Sequence, residues 1–327
     1  MSAPFEDGGA RRQADNALFD HRQVRRAFSR SADHYDDAAA LQREVAARLM
    51  ESLDYLADPA VGLDPQRVVD VGCGPGHATV AMQRRWPKAE VVALDIALPM
   101  LRAARANAGA IPGSARPRWL GGARTPMPLC ADARALPLAD ASVDVLFSNL
   151  CLQWVEDLPA VFAGFRRVLR PGGLLLVSTF GPDTLFELRG AFAEADDTPH
   201  VSLFPSIAQF GDALVAAGFK DPVLDRDEFT RSHPDLADLM RELRTLGATN
   251  AMRERRRSLT GRARFARAAR AYEALRGGAD TAHAGRLPAT WEVIYAHAWG
   301  PPPGAPIRVG GVDEVRVPAT GIPVRRR

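Results

Sequence analysis

The sequence predicts an α/β protein with a doubly wound, mostly parallel sheet, and three observations support this prediction. Short apolar runs alternate along the chain with segments whose apolar residues recur at helical spacing. A glycine-rich turn, residues 72–76, directly follows the first apolar run. The 327 residues are 46% hydrophobic, which is enough for one large core. Strands that alternate with helices pair in parallel, so ligands are expected at the carboxyl ends of the strands.

The first elements precede the sheet. Residues 1–24 are polar, and we expect them to form a flexible N-terminus. From Tyr35 onward apolar residues recur at helical spacing, which predicts a helix ahead of the first strand. The residues of this pattern are Ala38, Leu41, Val45, Leu49 and Leu53. We expect this N-terminal helix to close over the ligand as a lid.

The middle of the chain contains most of the predicted sheet. The patterns predict strands at residues 67–71, 90–94, 143–148 and 174–180, and helices at 78–85, 98–108 and 158–169. The third strand has two candidates, residues 117–120 and 128–131, because a glycine- and proline-rich insertion lies between them.

The last part of the chain is predicted to add helices and two further strands. Helical segments are expected near 184–195, 206–217 and 234–246, with an arginine-rich helix that ends near 275. An extended stretch near 223–229 and a terminal strand at 290–299 bring the sheet to seven strands. We therefore expect one domain, residues 25–299, followed by a disordered tail, residues 300–327.

The glycine turn indicates a nucleoside cofactor. Gly72, Gly74 and Gly76 follow a strand that carries Asp70, and Asp95 ends the next strand. A carboxylate at that second strand can accept hydrogen bonds from both ribose hydroxyls, although capping of the following helix is its alternative role. Dinucleotide sites use G-x-G-x-x-G and hold a pyrophosphate. The G-x-G-x-G turn beside an acidic residue instead resembles the first motif of Rossmann-like methyltransferases, and it favours S-adenosylmethionine, whose ammonium group suits Asp70.

Other strand ends add to the predicted cofactor site. Asp132 and Ala133 follow the third strand and are expected at the adenine in this class of protein, although an aspartate there is also an ordinary turn residue. Asn149 and Leu150 end the fourth strand, where the methionine end of the cofactor is expected. The site is completed by neighbours on these turns, namely Cys73, Ile96 and Met100.

Methyl transfer also constrains the acceptor. The seven histidines form no general-base motif, which favours an acceptor that is already ionised, such as a carboxylate with an ordinary pKa near 4. A guanidinium suits such an acceptor, and Arg189, one element after the fifth strand, is the candidate. The other candidates near the reacting atoms are Tyr35, Gln42, Gln153 and Trp154. For each of these side chains a structural role is the alternative.

Composition excludes several classes of protein. The three cysteines, Cys73, Cys130 and Cys151, form neither a disulfide framework nor a CxxC pattern, so no metal site is expected. No apolar stretch approaches the roughly 18 residues of a membrane span, and the polar start is not a secretory signal. We therefore expect a cytoplasmic protein that does not associate with membranes.

The basic residues are unevenly distributed. Residues 231–276 contain twelve arginines and five acidic residues. A solvated helix face is one interpretation, and a docking surface for an acidic partner is the other. Nucleic acid is a weaker prediction because aromatic residues are not interleaved with these arginines.

Longer segments extend the resemblance. The chain from about residue 25 to 299 is similar to the malonyl-[acyl-carrier protein] O-methyltransferases of biotin synthesis. The similarity lies in RRAFSRSADHYDDAAALQREVAARL, VVDVGCGPG, FSNLCLQWVEDL, VLRPGGLLLVSTFGPDTLFELR and LPATWEVIYAHAW. It implies methylation of the free malonyl carboxylate, which primes pimeloyl synthesis, with an acidic carrier protein or coenzyme A as the thioester handle. It also assigns Asp70, Gly72, Gly74, Asp95, Asp132 and Asn149 to S-adenosylmethionine.

Three other functions remain open at this point. A related group of complex I assembly factors, implicated in arginine modification, shares the DTLFELR-type segment. A methyltransferase of a small quinone or phenol would have a hydrophobic pocket without an arginine clamp. A cofactor-binding interaction protein would keep Asp95 without turning over any acceptor.

Overall fold

The structure of the protein is a computed structural model. It describes residues 18–56, 63–109, 124–256, 260–277 and 284–303, together with residues 111, 113, 258, 305, 307–309 and 312–314. Statements on the structure below concern these residues.

The main sheet of the described chain has seven strands. They are β1 (Arg67–Val71), β2 (Glu90–Asp95), β3 (Met127–Cys130), β4 (Val143–Ser148), β5 (Leu169–Phe180), β6 (Lys220–His233) and β7 (Leu287–Trp299). A separate antiparallel pair near the C-terminus consists of β8 (Ile307–Val309) and β9 (Val312–Glu314).

Helices flank this sheet. They are α1 (His21–Ser31), α2 (Tyr35–Ala38), α3 (Ala40–Leu56), α4 (His77–Arg85), α5 (Leu98–Ala108), α6 (Leu158–Val168), α7 (Phe186–Ala193), α8 (Ile207–Ala216), α9 (Leu236–Thr245) and α10 (Arg262–Glu273). A short 3-10 helix spans Leu152–Trp154.

The strand order is β3-β2-β1-β4-β5-β7-β6. The first five strands in this order are parallel, whereas β7 is antiparallel to both β5 and β6. The predicted doubly wound, mostly parallel sheet is therefore confirmed. Val71 pairs with Leu94, so β1 and β2 end side by side and bring the glycine turn next to Asp95.

The core lies on both faces of the sheet because the strands are buried on both sides. One face carries Val69 and Leu146 against Phe162 of α6 and Leu214 of α8. The other face packs against α3 and α4, with the apolar residues Leu49, Leu53, Val68, Met82 and Phe147. A third apolar cluster joins α7, α9 and α10 to β7, and it adds a helical layer at the carboxyl end of the sheet.

Several boundaries differ from the prediction. The third strand is Met127–Cys130, close to the second candidate, whereas residues 117–120 lie outside the described residues. Strand β5 begins at Leu169 because this residue pairs with Val143 across an irregularity in register. Helix α7 begins only at Phe186, since Leu185 before it has a left-handed backbone conformation with a φ of 53°.

The two ends of the chain also show order where the sequence predicts little. Helix α1 begins at His21, within the segment 1–24 that the sequence predicts to be flexible, because the carboxylate of Asp20 accepts a hydrogen bond from Gln23 N at 3.2 Å and caps the helix. Residues 1–17 lie outside the described residues. In the predicted tail, Gly300 N donates to Gly173 O at 2.7 Å, and β8 pairs with β9.

Candidate active site

The turn between β1 and α4 is built on glycine. Gly72, Gly74 and Gly76 have φ values of 73°, 53° and 83°, which side chains disfavour. A Cβ at Gly72 would clash with the Sγ of Cys151, and one at Gly76 would lie 2.7 Å from the Cβ of Ala104. A Cβ at Gly74 meets no atom within 4 Å. The turn is thus packed on two sides and open at Gly74, where a ligand can approach the backbone.

Asp95 is joined to this turn. Its Oδ2 accepts a hydrogen bond from Gly74 N at 2.9 Å, and its Oδ1 accepts one from Ala97 N at 2.8 Å. The predicted helix-capping role and the cofactor role are therefore compatible, because each carboxylate oxygen retains a lone pair that can accept a ribose hydroxyl. Burial raises the pKa of Asp95 to about 6, although the bonds from Ala97 and Gly74 act to lower it.

Asp70 lies behind the turn and is buried. Its Oδ2 accepts a hydrogen bond from the Thr79 hydroxyl. Burial raises its pKa to about 7, the Thr79 bond opposes this effect, and the nearby Asp95 carboxylate adds to it. Among the described residues no basic side chain forms an ion pair with Asp70 or Asp95. Two buried carboxylates without a cation favour a positively charged ligand at this end of the sheet.

A cavity of about 90 Å³ lies at these strand ends. Most of the predicted cofactor residues line it, namely Gly72, Gly74, Asp95, Ile96, Met100, Asp132, Ala133, Asn149 and Leu150. Three predicted residues, Asp70, Cys73 and Gly76, do not line it. Sequence reasoning missed the contribution of α1, which adds His21, Val24 and Phe28 to the wall. We refer to this space as the cofactor cavity.

The adenine side of the cofactor cavity holds an ion pair. Asp132 is bound by the Arg134 guanidinium, with an Nη2–Oδ2 distance of 2.7 Å, and by Arg134 N at 2.9 Å. Burial acts to raise the pKa of Asp132, but the bonds from Arg134 outweigh burial and lower it. Asp132 is therefore an ionised acceptor at the cavity wall. Its assignment to the adenine amino group stays a prediction, and Arg134 is a wall residue that the sequence did not reveal.

The end of β4 connects the leading helix to the sheet. Asn149 donates from Nδ2 to Gln42 O at 3.0 Å, and its Oδ1 accepts the Ser178 hydroxyl at 2.9 Å. Leu150 has a φ of 47°, and its N–H donates to Ser178 O at 3.1 Å. Asn149 thus has a structural role that fixes the first turn of α3 against the end of the sheet.

A second cavity, of about 380 Å³, adjoins the cofactor cavity. Phe28, Tyr35, Leu150 and Trp154 line both spaces, so the two cavities share a wall. The volume of the larger cavity is within the roughly 300–1,000 Å³ of small-molecule sites. We refer to it as the acceptor cavity, because an acceptor there would lie next to the predicted methionine end of the cofactor.

Polar atoms without partners face this region. Gln42 Oε1, Gln153 Oε1 and Trp154 Nε1 are buried and have no hydrogen-bond partner among the described residues. All three side chains line the acceptor cavity, as the sequence predicts for groups near the reacting atoms. Trp154 also packs edge-on against Phe28, with ring centroids 5.5 Å apart, so a structural and a ligand-contact role coexist in this side chain.

Tyr35 lies at the start of α2, on the wall shared by the two cavities. Burial raises the pKa of its hydroxyl well above the ordinary value, and the negative charge of Asp95 adds to this effect. The hydroxyl therefore keeps its proton at neutral pH. Tyr35 can donate a hydrogen bond to a ligand, but it is poorly suited to act as a base.

Arg189 is not placed as predicted. Its Nη2 donates to Pro182 O at 3.0 Å, and the side chain lines neither cavity. The physical reason is local, because the loop before α7 offers a carbonyl oxygen that holds the guanidinium. Three other arginines line the acceptor cavity instead, namely Arg244, Arg255 and Arg256. All three belong to the predicted arginine-rich region, and the sequence signal for them was the excess of arginine alone.

Arg256 is held by a buried carboxylate. Asp196, whose side chain is 9% exposed, accepts a hydrogen bond from Arg256 Nη2 at 3.3 Å and from His200 Nε2 at 2.8 Å. Burial acts to raise the pKa of Asp196, but its bonds with His200 and Thr198 outweigh burial and lower it. Arg256 Nε is buried without a partner among the described residues. The wall therefore offers a positioned cationic donor to an anionic acceptor.

Two negative findings complete the description of the site. Within the described ranges, no group of three or more His, Cys, Asp or Glu side chains could hold a metal ion. The part of the chain that the structure describes also contains no helix that is both long and apolar enough to cross a membrane.

S-adenosylmethionine fits the cofactor cavity on these observations. The open side of Gly74 admits a close approach to the backbone, Asp95 has lone pairs for ribose hydroxyls, and the buried carboxylates compensate a positive charge. The family model described as "Methyltransferase domain" matches residues 69–177, which contain this turn. A solved crystal structure of a protein from Bacillus halodurans C-125 has the same fold, with a TM-score of 0.52 and 18% identity; the alignment covers 79% of this chain and 99% of that chain. Fold and site together define a Rossmann-like, S-adenosylmethionine-dependent methyltransferase.

Comparison with curated proteins narrows the class. The malonyl-[acyl-carrier protein] O-methyltransferase of Xylella fastidiosa is 57% identical over 313 residues, covering 95% of this chain and 99% of the relative. The protein of the same name from Halorhodospira halophila is 45% identical, and the alignment covers 96% of this chain and 99% of the relative. The one from Gallionella capsiferriformans is 42% identical, with 88% of this chain and 93% of the relative covered. The chain belongs to the malonyl-[acyl-carrier protein] O-methyltransferase family.

Proposed function

We propose that the protein transfers the methyl group of S-adenosylmethionine to the free carboxylate of a malonyl thioester on acyl carrier protein. The observation that carries this proposal is the pair of adjoining cavities. One contains buried carboxylate and glycine backbone for a cationic nucleoside, and the other contains three arginines for an anion. The names of the relatives support the same substrate.

The cofactor side is assembled from the strand ends. Asp95 would accept hydrogen bonds from the ribose hydroxyls, and Asp132 would accept one from the adenine amino group. Gly72 and Gly74 allow the backbone to approach the methionine end of the cofactor. When bound, S-adenosylmethionine supplies an electrophilic methyl group on a sulfonium. Asp70 is buried next to this turn, and a cationic ligand there would favour its ionised form and lower its raised pKa.

The acceptor side needs orientation more than proton transfer. A malonyl carboxylate has an ordinary pKa near 4 and is a nucleophile at neutral pH without a base. Arg256, held by Asp196, orients it through charge-assisted hydrogen bonds. Tyr35 keeps its proton and lies on the shared wall, where it can donate to the acceptor without removing a proton.

The shared wall aligns the two reactants. Phe28, Tyr35, Leu150 and Trp154 exclude water from the junction of the cavities, which strengthens the electrostatic interactions there. Holding the two reactants in line replaces a bimolecular encounter and is the main contribution that these residues make to the rate.

A quinone or phenol acceptor fits this wall less well. Such an acceptor must lose a proton, and it brings no carboxylate for the cavity-lining arginines to bind. An arginine substrate also fits less well, because its positive guanidinium would be repelled by the arginine side chains of this cavity.

The sequence predicts that the carrier protein docks on residues 231–276. Six arginines there form ion pairs within the chain, namely Arg231, Arg241, Arg255, Arg256, Arg264 and Arg276. Other arginines of the region, Arg244, Arg253, Arg262 and Arg270, have no side-chain partner among the described residues and are available to an acidic partner.

A substrate panel tests the proposed function. Purified protein is incubated with methyl-labelled S-adenosylmethionine and, in separate reactions, malonyl-carrier protein, acetyl-carrier protein, malonyl-coenzyme A and malonyl-pantetheine. We expect base-labile label in the malonyl substrates and none in acetyl-carrier protein, which lacks a free carboxylate. Label in a quinone or an arginine peptide, with none in any malonyl thioester, would contradict the proposal. The ratio of kcat/KM between the carrier protein and coenzyme A identifies the preferred thioester handle.

A further inference from the structure

Helix α1 presents a charged surface that the cavities do not use. Arg22, Arg25, Arg26 and Arg30 are exposed on this helix of 11 residues, which contains no acidic residue. At 100° per residue all four fall on one side of the helix. None of them forms a side-chain hydrogen bond or ion pair with the described residues. This surface, the outer face of α1, is a positive patch without ion pairs in the part of the chain that the structure describes.

The opposite side of the same helix forms part of the site. Val24 and Phe28 face inward and line the cofactor cavity, and Phe28 also lines the acceptor cavity. Phe28 of α1 and Ala32, which directly follows this helix, pack with Met100 of α5 and with Tyr35. The helix is therefore a wall between the positive patch and the reacting atoms, only one helix diameter thick.

Helix α1 is also attached to the segment that carries the cavity arginines. Asp20 N donates to Ala251 O at 2.8 Å, and Arg253 N donates to Leu18 O at 2.9 Å. Near the other end of the helix, Gly247 has a φ of 73° and packs so closely that a Cβ there would lie 2.8 Å from Ser31 Oγ. A displacement of α1 would therefore be transmitted to residues 247–256, which include Arg255 and Arg256.

We infer that the outer face of α1 is the docking surface for the acidic carrier protein, and that docking there is coupled to cofactor binding. The inference rests on the proposed function. Charge complementarity identifies the occupant, because four unpaired arginines attract an acidic surface and the apolar side of α1 is buried in the protein rather than free for a membrane. The arginine-rich region has six arginines in internal ion pairs. Its four arginines without a side-chain partner among the described residues are divided between α9, a loop and α10, whereas the four of α1 share one helix face.

The coupling follows from the position of α1. A cofactor bound in the cofactor cavity would contact the residues that form its walls. Helix α1 is one of these walls. A partner that fixes α1 in the cofactor-bound position raises cofactor affinity, and by reciprocity the cofactor raises the affinity for that partner. The carrier protein would then bind most tightly when the methyl donor is in place.

A charge-reversal experiment tests the docking surface. The variant Arg22→Glu/Arg26→Glu is compared with Arg262→Glu/Arg270→Glu, a matched control that reverses two exposed arginines on α10. We expect the α1 variant to raise KM for malonyl-carrier protein at least about tenfold and to leave kcat/KM for malonyl-pantetheine unchanged, with a smaller effect in the control. The conservative variant Arg22→Gln/Arg26→Gln should show an intermediate KM, and it replaces the first variant if that one does not fold.

A binding measurement tests the coupling without turnover. Calorimetry with S-adenosylhomocysteine, in the presence and absence of holo-carrier protein, should show a gain in affinity of about fivefold or more for the wild type. This gain should disappear in the α1 variant, whose affinity without carrier protein should equal that of the wild type.

The outcomes separate the inference from the proposed function. If the wild type does not methylate malonyl-pantetheine, malonyl-coenzyme A or malonyl-carrier protein, the proposed function fails. If it methylates them and the α1 variant and the α10 control have the same KM for malonyl-carrier protein, the docking inference is wrong and the function stands. Absence of any gain in S-adenosylhomocysteine affinity in the wild type would overturn the coupling.

Discussion

Replacing Asp95 with alanine should weaken cofactor binding far more than it weakens the fold. The carboxylate is 7% exposed and already accepts hydrogen bonds from Gly74 N at 2.9 Å and Ala97 N at 2.8 Å. Its remaining lone pairs are those that we assign to the ribose hydroxyls. Loss of two charge-assisted bonds to the ligand costs about 1–3 kcal/mol, which corresponds to a roughly 5- to 150-fold increase in Kd.

The effect of Asp95→Ala on the fold has two opposing parts. Each of the two backbone N–H groups loses its acceptor, at a cost of about 1–3 kcal/mol when it stays buried. The substitution also removes a buried carboxylate whose pKa is raised from 3.8 to about 6, and at neutral pH that ionised group costs the folded state about 3 kcal/mol. Because these contributions have opposite signs, the net effect on the free energy of unfolding is smaller than the loss of the two acceptors alone, and Tm should change by only a few degrees.

Calorimetric titration with S-adenosylhomocysteine measures the affinity, and thermal unfolding measures the fold. The matched control is Asp140→Ala, which removes an aspartate whose side chain is 78% exposed and which pairs with Arg167 at 2.7 Å. The control should bind S-adenosylhomocysteine like the wild type. If Asp95→Ala also binds it with unchanged affinity, Asp95 does not contact the ribose and the assignment of the cofactor cavity is refuted.

The affinity for S-adenosylhomocysteine should rise with pH up to about pH 6 and then stay constant, because Asp95 must be ionised to accept hydrogen bonds from two hydroxyls. The variant Asp95→Asn should bind weakly at every pH. Calorimetry at several pH values measures both. Arg256→Ala should raise KM for malonyl thioesters at least about tenfold, while Kd for S-adenosylhomocysteine stays constant. Arg256→Lys, which keeps the positive charge, should raise KM less. An equal loss of cofactor affinity in Arg256→Ala would indicate a folding role. Asp70 has a pKa of about 7 in the folded protein and 3.8 as the ordinary value, so the folded state retains a proton that the unfolded chain loses between these values. The free energy of unfolding should therefore fall as pH rises from about 4 to about 7, and urea denaturation of Asp70→Asn should show a weaker fall over this interval.

The glycine turn and the strand ends could be predicted because their signals are local. Gly72, Gly74 and Gly76 are required by backbone conformation and close packing, and both requirements leave a mark in a short stretch of sequence. Asp95 ends the buried strand β2, and the crossover rule predicts that β2 pairs in parallel with its neighbour. The arrangement of β1 and β2 and the position of the cofactor cavity therefore followed from the sequence.

The acceptor side could not be predicted in the same way. Arg189 has the right residue type, but the conformation of the loop before α7 decides that its guanidinium binds Pro182 O. Arg256 reaches the acceptor cavity because Asp196, far away in sequence, holds it there. The part played by α1 depends on contacts with residues 247–253, which hydrophobic periodicity does not reveal. Long-range contacts of this kind leave no pattern in a single sequence.

The position of the transferred methyl group tests the account most directly. After reaction with malonyl-carrier protein and S-adenosylmethionine, the phosphopantetheine arm is released from the product and fragmented in a tandem mass spectrometer. The account predicts one added methyl group on the distal carboxyl oxygen, removed by mild base, with no addition to the methylene carbon or the sulfur. A methyl group on carbon or sulfur, or an unmodified acyl group from an enzyme that binds S-adenosylhomocysteine, would contradict it.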